Sequence, residues 1–365
     1  MNTDNKNVDD RQPIADREGP TTNDQRLTTN GLPSTVDRRP STFIQSLPKA
    51  ELHLHLEGSI GPDELAELIL LHGGGPVDRE RLAQLYQHQD FAAFLDAFRR
   101  VTHWLRTPED YELITYRLMQ KLAAENVLHT EVYVSVGVIL FRNRDFDAIF
   151  EGLERGRQRG ERDFGVSLLW IFDAVRHFGV VAAEKVFDKA IPLRDRNVVG
   201  IGIGGDERRA APELFRELYA RARDNGLRLT AHAGESSGPE SILGALDALK
   251  AERIGHGLTA YQDRELMARL AQTQVPVEIC FTSNLRTGCC AAARQHPLKT
   301  YYDLGLMVTL NTDDPAMFET SLSREYQVAQ DTFGFTDAQL RELAMNSFRA
   351  SFLPEQRKRA FLARF

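Results

Sequence analysis

Two histidines, His53 and His55, are separated by a single leucine, and their side chains can bind a metal ion or transfer protons. They alternate with Leu52, Leu54 and Leu56 in a pattern that is typical of a β-strand. Because residues i and i+2 of a strand point to the same face, the two imidazoles project together. Neighbouring imidazoles suit a core poorly, but they form half of a metal site. The segment is therefore either a pair of core histidines or a pair of ligands.

Three further polar clusters, each after an apolar strand-like segment, favour the metal interpretation over a scatter of polar loop residues. They cover residues 230–235, 253–257 and 311–315. The chain has no Cys-x-x-Cys, so a metal would need nitrogen and oxygen ligands. His53, His55 and His232 with Asp313 would suit Zn²⁺ and leave one position open for water. Zinc lowers the pKa of such a water toward about 7, which supplies a nucleophile at neutral pH.

Two residues near this set suit proton transfer. Hydrolytic attack on an aromatic heterocycle requires an acid that protonates a ring nitrogen, and Glu235 suits that role if an enclosed site raises its pKa. Alternatively, Glu235 only favours the N-terminus of a helix that begins near Pro239. His256, between two glycines, is a base, an orienting group for the nucleophile or a fourth nitrogen ligand.

The adjacent carboxylates of Asp313 and Asp314 follow an apolar strand. Two neighbouring carboxylates repel each other and are costly to enclose without a cation. One on a metal and one on a ring nitrogen would explain the pair, whereas a solvated turn before Pro315 is the alternative.

Eight apolar segments alternate with helical stretches, which predicts an α/β protein with a TIM-type (β/α)8 barrel. The predicted strands cover residues 52–56, 129–134, 166–172, 198–203, 227–231, 253–254, 275–280 and 307–310. The clearest helix covers 91–101, with apolar residues at i, i+3, i+4 and i+7, and further helices are predicted at 212–222 and 239–249. In barrel enzymes catalytic groups lie at the C-terminal ends of the strands, where every cluster above falls.

The composition of the chain limits its possible partners and location. Its 365 residues carry 45 basic and 52 acidic side chains, and the net charge of −7 offers no basic surface for nucleic acid. No apolar run approaches the roughly 20 residues of a membrane span, and the N-terminus lacks a signal core, so we expect a cytoplasmic protein. Residues 1–42 lack hydrophobic periodicity, which predicts a disordered tail before a catalytic domain at 43–365.

These motifs together resemble the adenosine deaminase family of the metal-dependent amidohydrolase superfamily. The matching segments occur in the family's order, and together they are highly specific. They are residues 47–58 (LPKAELHLHLEG), 204–207 (GGDE), 232–235 (HAGE), 253–257 (RIGHG), 278–280 (EIC), 282–284 (TSN) and 312–315 (TDDP).

The resemblance implies a role for each residue of the site. It implies one zinc per subunit, held by His53, His55, His232 and Asp313, of which Asp313 is also catalytic. It further implies Glu235 as proton donor to purine N1, His256 orienting the nucleophile, Gly205 at N3, Asp314 at N7 and His55 facing the substrate. The family covers its pocket with an apolar helix, which suggests a short lid formed by Phe91, Phe94, Leu95 and Phe98, although core packing explains their periodicity equally well. Arg176 and His177 resemble a pair near the family's site and are interpreted as structural.

The expected substrate is a 6-aminopurine nucleoside: adenosine, 2′-deoxyadenosine or 6-aminodeoxyfutalosine, a nucleoside with a 5′ extension. Where adenosine-specific members carry aspartate at a contact to the ribose 5′-hydroxyl, this chain has Glu57. Glutamate there resembles enzymes that act on 6-aminodeoxyfutalosine or on adenine, whereas 205–207 resembles the nucleoside-acting members. Free adenine is the alternative substrate. A hydrolase of amides or esters and a non-catalytic nucleoside-binding protein on the same barrel are the alternative functions.

Overall fold

Eight parallel strands form the barrel predicted from the sequence. The computed structural model describes residues 40–87 and 90–365. The strands pair in sequence order, and a bridge between Leu54 and Asp313 joins the last strand to the first. They are β1 Lys49–His55, β2 Val127–Val134, β3 Ser167–Val175, β4 Val198–Gly204, β5 Arg228–Ala233, β6 Arg253–His256, β7 Val277–Ile279 and β8 Val308–Leu310. All eight predicted strands are confirmed, with ends that differ by a few residues.

Helices connect consecutive strands and cover the outside of the barrel. They are α1 Thr42–Ser46, α2 Pro62–Leu71, α3 Arg79–Leu85, α4 Phe91–Thr102, α5 Pro108–Ala124, α6 Val136–Phe141, α7 Phe146–Phe164, α8 Val180–Ala190, α9 Arg216–Asp224, α10 Pro239–Gly244, α11 Arg264–Thr273, α12 Phe281–Arg286, α13 Leu298–Asp303, α14 Leu322–Phe333, α15 Asp337–Ala350 and α16 Glu355–Leu362. The predicted helix at 91–101 is α4, and Asp90 caps it by accepting from the Ala93 amide.

Two predicted helices are divided in the structure. The segment at 212–222 begins with a 3₁₀ turn, Pro212–Phe215, and continues as α9. The segment at 239–249 is α10 followed by a π turn, Ala245–Leu249. Proline occupies the first turn of both segments because a helix needs no amide hydrogen there.

Most of the apolar core lies between the strands and the surrounding helices, whereas the barrel interior is largely polar. Inside the barrel, Arg253 lies 3.8 Å from the centre of the Phe352 ring and forms ion pairs with Glu131 and Glu278. These buried charges lie beneath His53, which contacts Glu278. The interior thus supports polar groups at the barrel mouth.

Most of the predicted N-terminal tail lies outside the described residues. Its last three residues, 40–42, are described, and Ser41 caps α1 by accepting from the Ile44 amide. Across the part of the chain that the structure describes, no helix combines the length and apolar character that a membrane crossing requires.

Candidate active site

Four ligand atoms converge at the mouth of the barrel. The Nε2 atoms of His53 and His55 each lie 3.1 Å from His232 Nε2 and 3.3 Å from Asp313 Oδ1. Ligand atoms about 2.1 Å from one metal, at tetrahedral angles, stand roughly 3.4 Å apart. All four residues are buried. The structure thus brings together the four predicted ligands at spacings that fit one ion such as Zn²⁺.

Two neighbouring side chains orient the ligand atoms. His53 Nδ1 lies 2.8 Å from Glu278 Oε2, so the proton on Nδ1 is held there and the Nε2 lone pair points into the cluster. Ser283 Oγ donates to Asp313 Oδ2 at 2.7 Å, which leaves Asp313 Oδ1 facing the histidines. Carboxylate–histidine contacts of this kind typically accompany metal sites.

The junction between β1 and β8 fixes Asp313 against the two histidines of β1. The Asp313 amide donates to the His53 carbonyl at 3.0 Å, and the His55 amide donates to the Asp313 carbonyl at 2.7 Å. Asp313 has a φ of +66°, which is uncommon for a residue other than glycine. Backbone strain of this kind is concentrated at functional sites, where the surrounding structure enforces it.

His256 lies beside the four ligand atoms, and hydrogen bonds determine which of its nitrogens carries the proton. Asn284 Nδ2 donates to His256 Nδ1 at 3.0 Å, and Asn284 Oδ1 lies 3.1 Å from His296 Nε2. Because Nδ1 accepts, the proton of neutral His256 is on Nε2, which lies 3.7 Å from Glu235 Oε2 and 3.9 Å from Asp313 Oδ2. Burial lowers the pKa of His256 to about 4, so the imidazole is neutral at pH 7.

Glu235 follows His232 on the loop after β5, and a second carboxylate holds this loop. Glu207 accepts hydrogen bonds from the amides of Gly234, Glu235 and Ser236 at 2.8–2.9 Å and from the Ser241 hydroxyl at 2.5 Å. Burial, and then the nearby charge of Asp313, raise the pKa of Glu235 well above its usual range. A protonated carboxyl group facing the cavity suits a proton donor.

A cavity of about 920 Å³ opens above this cluster. Its volume lies in the upper part of the roughly 300–1,000 Å³ range of small-molecule sites. Most of the predicted site residues line it: His55, Phe94, Leu95, Phe98, Gly205, His232, Glu235, His256, Asp313 and Asp314. His53 lies beneath it within the ligand cluster. Phe94 lines the cavity and its ring packs 4.9 Å from that of Phe318, which is compatible with both the lid and the core interpretation.

Glu57 is not among the cavity-lining residues. It is buried, and its Oε1 accepts from the amide of Ser135, a cavity residue, at 3.0 Å. Its Oε2 has no hydrogen-bond partner in the described segments, and burial raises the pKa of this carboxyl group. Glu57, predicted to contact the substrate, therefore lies outside the cavity lining and holds the backbone of Ser135, which lines the cavity.

Gly205 and Asp314 both line the cavity. Gly205 has a φ of +86°, and a Cβ there would lie 2.7 Å from His177 Nδ1. Asp314 Oδ1 is buried without a hydrogen-bond partner among the residues described, and burial raises the pKa of Asp314. Of the pair interpreted as structural, Arg176 is buried and donates to the His232 carbonyl, whereas His177 lines the cavity.

Asp173, which lies in β3 and lines the cavity, was not predicted as a site residue from the sequence. Burial raises its pKa to about 7, and its Oδ1 lacks a hydrogen-bond partner in the described part of the chain. A Cβ at Gly202 or Gly204 would lie 3.0 Å from its oxygens, so the two glycines provide its space. A single carboxylate within an apolar strand was the available signal.

The chain is similar to curated deaminases over most of its length. It is 38% identical over 334 residues to the aminodeoxyfutalosine deaminase of Streptomyces coelicolor, which covers 90% of this chain and 86% of the relative. It is 35% identical over 333 residues to the adenine deaminase of Cupriavidus metallidurans, with 90% and 93% covered. These identities are too close to distinguish the two substrates.

Solved structures share the fold. An adenine deaminase from Arthrobacter aurescens superposes with a TM-score of 0.84 at 33% identity, covering 87% of this chain and 98% of that one. A zinc-bound amidohydrolase from Burkholderia ambifaria gives 0.81 at 28% identity, with 90% and 93% covered. Arabidopsis ADAL complexed with GMP gives 0.80 at 27% identity, with 88% and 97% covered.

The family model described as adenosine deaminase matches residues 48–365, which include the barrel and every residue of the site. The predicted family resemblance is therefore confirmed, and this chain belongs to the adenosine deaminase family.

Proposed function

We propose that this protein is a zinc-dependent hydrolytic deaminase of a 6-aminopurine nucleoside. Water replaces the amino group at C6, and the products are the 6-oxopurine and ammonia. One observation carries the proposal: three histidine Nε2 atoms and Asp313 Oδ1 converge beneath a cavity into which Glu235 and His256 also face. A non-catalytic binding protein would not require this combination.

His53, His55, His232 and Asp313 would hold one zinc ion per subunit. Zinc in that position would lower the pKa of a coordinated water and so provide the nucleophile at neutral pH. Glu235 protonates purine N1 as the nucleophile attacks C6, because its raised pKa keeps the proton available near neutrality. The proton removes the negative charge that would otherwise develop on the ring.

The remaining groups orient the reactants. His256 presents Nε2 toward Glu235 and Asp313, which suits a group that orients the attacking oxygen. Asp314 has a raised pKa, and its Oδ1 has no hydrogen-bond partner among the described residues, so it suits a hydrogen bond to purine N7. The backbone of Gly205 can approach N3 closely because it has no side chain.

A nucleoside fits the cavity better than a free base, since a bicyclic base would leave much of the 920 Å³ unfilled. Adenosine, 2′-deoxyadenosine and 6-aminodeoxyfutalosine are the candidates, and the name of the Streptomyces relative favours the last. The complex of Arabidopsis ADAL with GMP supports a purine ligand that is larger than a base. The named adenine deaminases keep adenine as the second candidate.

A substrate screen tests the proposal. Zinc-loaded protein is incubated with adenosine, 2′-deoxyadenosine, 5′-extended adenosines and adenine. The readouts are ammonia release and the change in the ultraviolet absorbance of the purine when the 6-amino group is replaced. We expect turnover of nucleosides at rates well above that of adenine. Turnover of adenine alone would support the second candidate. If no 6-aminopurine reacts, the proposal is wrong, and an amide or ester hydrolase or a silent binding protein takes its place.

A further inference from the structure

A solvent-exposed part of the cavity wall carries several basic side chains. We call Arg99, Arg100, His103 and Arg142 the basic wall; all four line the same cavity as His55 and Glu235. The side chains of Arg99 and Arg100 are 70% and 61% exposed, which places them at the solvent end. The buried end instead carries carboxylates, among them Asp173 and Asp314.

The arginines of the basic wall outnumber the carboxylates that pair with them. Asp96 pairs with both Arg99 and Arg100 at 2.7 Å, so one carboxylate serves two arginines. Arg142 forms no ion pair within the described residues and instead donates to the carbonyls of Thr102 and Arg99. Three arginines and one carboxylate leave a surplus of two positive charges in this part of the cavity wall.

The pKa of His103 reflects these positive charges. Burial, followed by the charges of Arg106, Arg142, Arg144 and Arg99, lowers its pKa. The largest of the charges that act on His103 are therefore positive. An anion bound here would restore the balance.

An aromatic pair lies next to the basic wall. The rings of Phe141 and Phe178 stack with centroids 4.8 Å apart and an interplanar angle of 24°, and both residues line the cavity. Phe141 is 69% exposed, which is unusual for a large aromatic side chain. Such a surface suits a flat or apolar segment of a ligand that passes toward the arginines.

We propose that the basic wall binds an anionic group, carboxylate or phosphate, at the end of the substrate's 5′ substituent. The inference rests on the function proposed above, because the purine must occupy the acidic end of the cavity. A nucleoside held in this way directs its 5′ substituent along Phe141 and Phe178 toward Arg142. The bare 5′-hydroxyl of adenosine would leave the arginines without a ligand, so a 5′-anionic nucleoside is the preferred class of substrate.

Binding of unreactive 6-oxo ligands tests the site without turnover. The probes for calorimetry are inosine, 5′-deoxy-5′-(phenylthio)inosine, its 4-carboxyphenyl twin and inosine 5′-monophosphate. We expect the carboxylated twin to bind at least about tenfold more tightly than the neutral one, and added salt to reduce the difference. If inosine 5′-monophosphate binds more tightly still, the anion is a phosphate; if less tightly, it is a carboxylate.

Two variants remove charge from the basic wall. Arg142→Gln and the double variant Arg99→Gln/Arg100→Gln should each lose most of the preference for the carboxylated twin, while affinity for inosine stays within about twofold. The matched control is Arg264→Gln, an exposed arginine on the outer helix α11, which should keep the preference. The double variant remains informative if loss of the Arg142 hydrogen bonds impairs folding.

Equal affinities for the two twins would overturn the anion site, as would equal weakening of both twins in the variants. Failure of inosine itself to bind would instead contradict the proposed function. Turnover of 2′-deoxyadenosine by the double variant at the wild-type rate would distinguish the deaminase function from the anion site, because that substrate has no anionic group to contact the basic wall.

Discussion

At the scale of single residues, the site depends on which nitrogen of each imidazole carries its proton. Glu278 holds the proton of His53 on Nδ1, so Nε2 is available as a ligand. Asn284 has the opposite effect on His256, where Nδ1 accepts and Nε2 carries the proton. Two histidines in one cluster thus have different chemistry because their partners differ.

Asn284→Asp tests the assignment of His256. Aspartate only accepts hydrogen bonds, so it would draw the imidazole proton to Nδ1 and leave Nε2 without one. We expect kcat to fall about 10–100-fold, as for other partners of site histidines, with the zinc content unchanged. The ¹⁵N chemical shifts of His256 should report the change of tautomer. A wild-type rate together with the changed tautomer would show that His256 does not act through its Nε2 proton.

Glu235→Gln removes the proposed acid and preserves the shape of the side chain. We expect activity to fall about 10²–10⁴-fold, the usual contribution of general acid catalysis, because glutamine cannot transfer a proton to purine N1. Metal analysis should still find one zinc per chain. Loss of zinc from this variant would instead make Glu235 a metal ligand.

At the scale of elements, the loop after β5 and helix α4 determine how the site meets its substrate. The loop carries Glu235, and the carboxylate of Glu207 holds three successive amides of that loop. Burial alone would raise the pKa of Glu207, but Arg176 and the hydrogen bonds lower it, so the carboxylate is ionised. Helix α4 contributes apolar side chains to the same cavity.

Glu207→Gln should loosen this loop. The glutamine NH₂ cannot accept the hydrogen bonds that one carboxylate oxygen accepts now, so at least one buried amide loses its partner, at a cost of about 1–3 kcal/mol of stability. We expect kcat to fall more than KM changes, because the position of Glu235 is disturbed. The control is Glu240→Gln, which changes an exposed carboxylate in the first turn of α10. If the two variants behave alike, Glu207 has no positioning role.

Substitutions of two phenylalanines in α4 can distinguish a lid over the cavity from a helix that only packs against the core. Phe98 is half-buried and should contribute to substrate binding. Phe98→Ala is therefore expected to raise KM about tenfold through loss of roughly 1.5 kcal/mol of apolar contact with the substrate. Phe94→Ala should raise KM and also reduce stability by about 3–5 kcal/mol, because Phe94 packs against Phe318. Thermal unfolding and steady-state kinetics measure both effects. Unchanged KM values in both variants would leave α4 with a packing role alone.

At the scale of the whole molecule, the barrel could be predicted because its strands are apolar runs separated by helical periodicity. The ligand positions could also be predicted, since parallel strands bring the residues at their C-terminal ends to one rim. Asp173 was missed because one carboxylate in an apolar strand has no periodicity. The π turn after α10 and the position of Glu57 behind Ser135 depend on packing between distant segments, which local patterns do not encode.

The zinc dependence of the reaction is tested most directly by titrating metal-stripped protein with Zn²⁺ while deamination of a 6-aminopurine nucleoside is followed in the ultraviolet. We expect negligible activity without metal, and a linear rise that stops at one zinc per chain. His232→Ala should abolish the rise because it removes one of the four converging ligands. Full activity in the metal-stripped protein, or none at any ratio of zinc to protein, would show that the protein is not a zinc-dependent deaminase of these nucleosides.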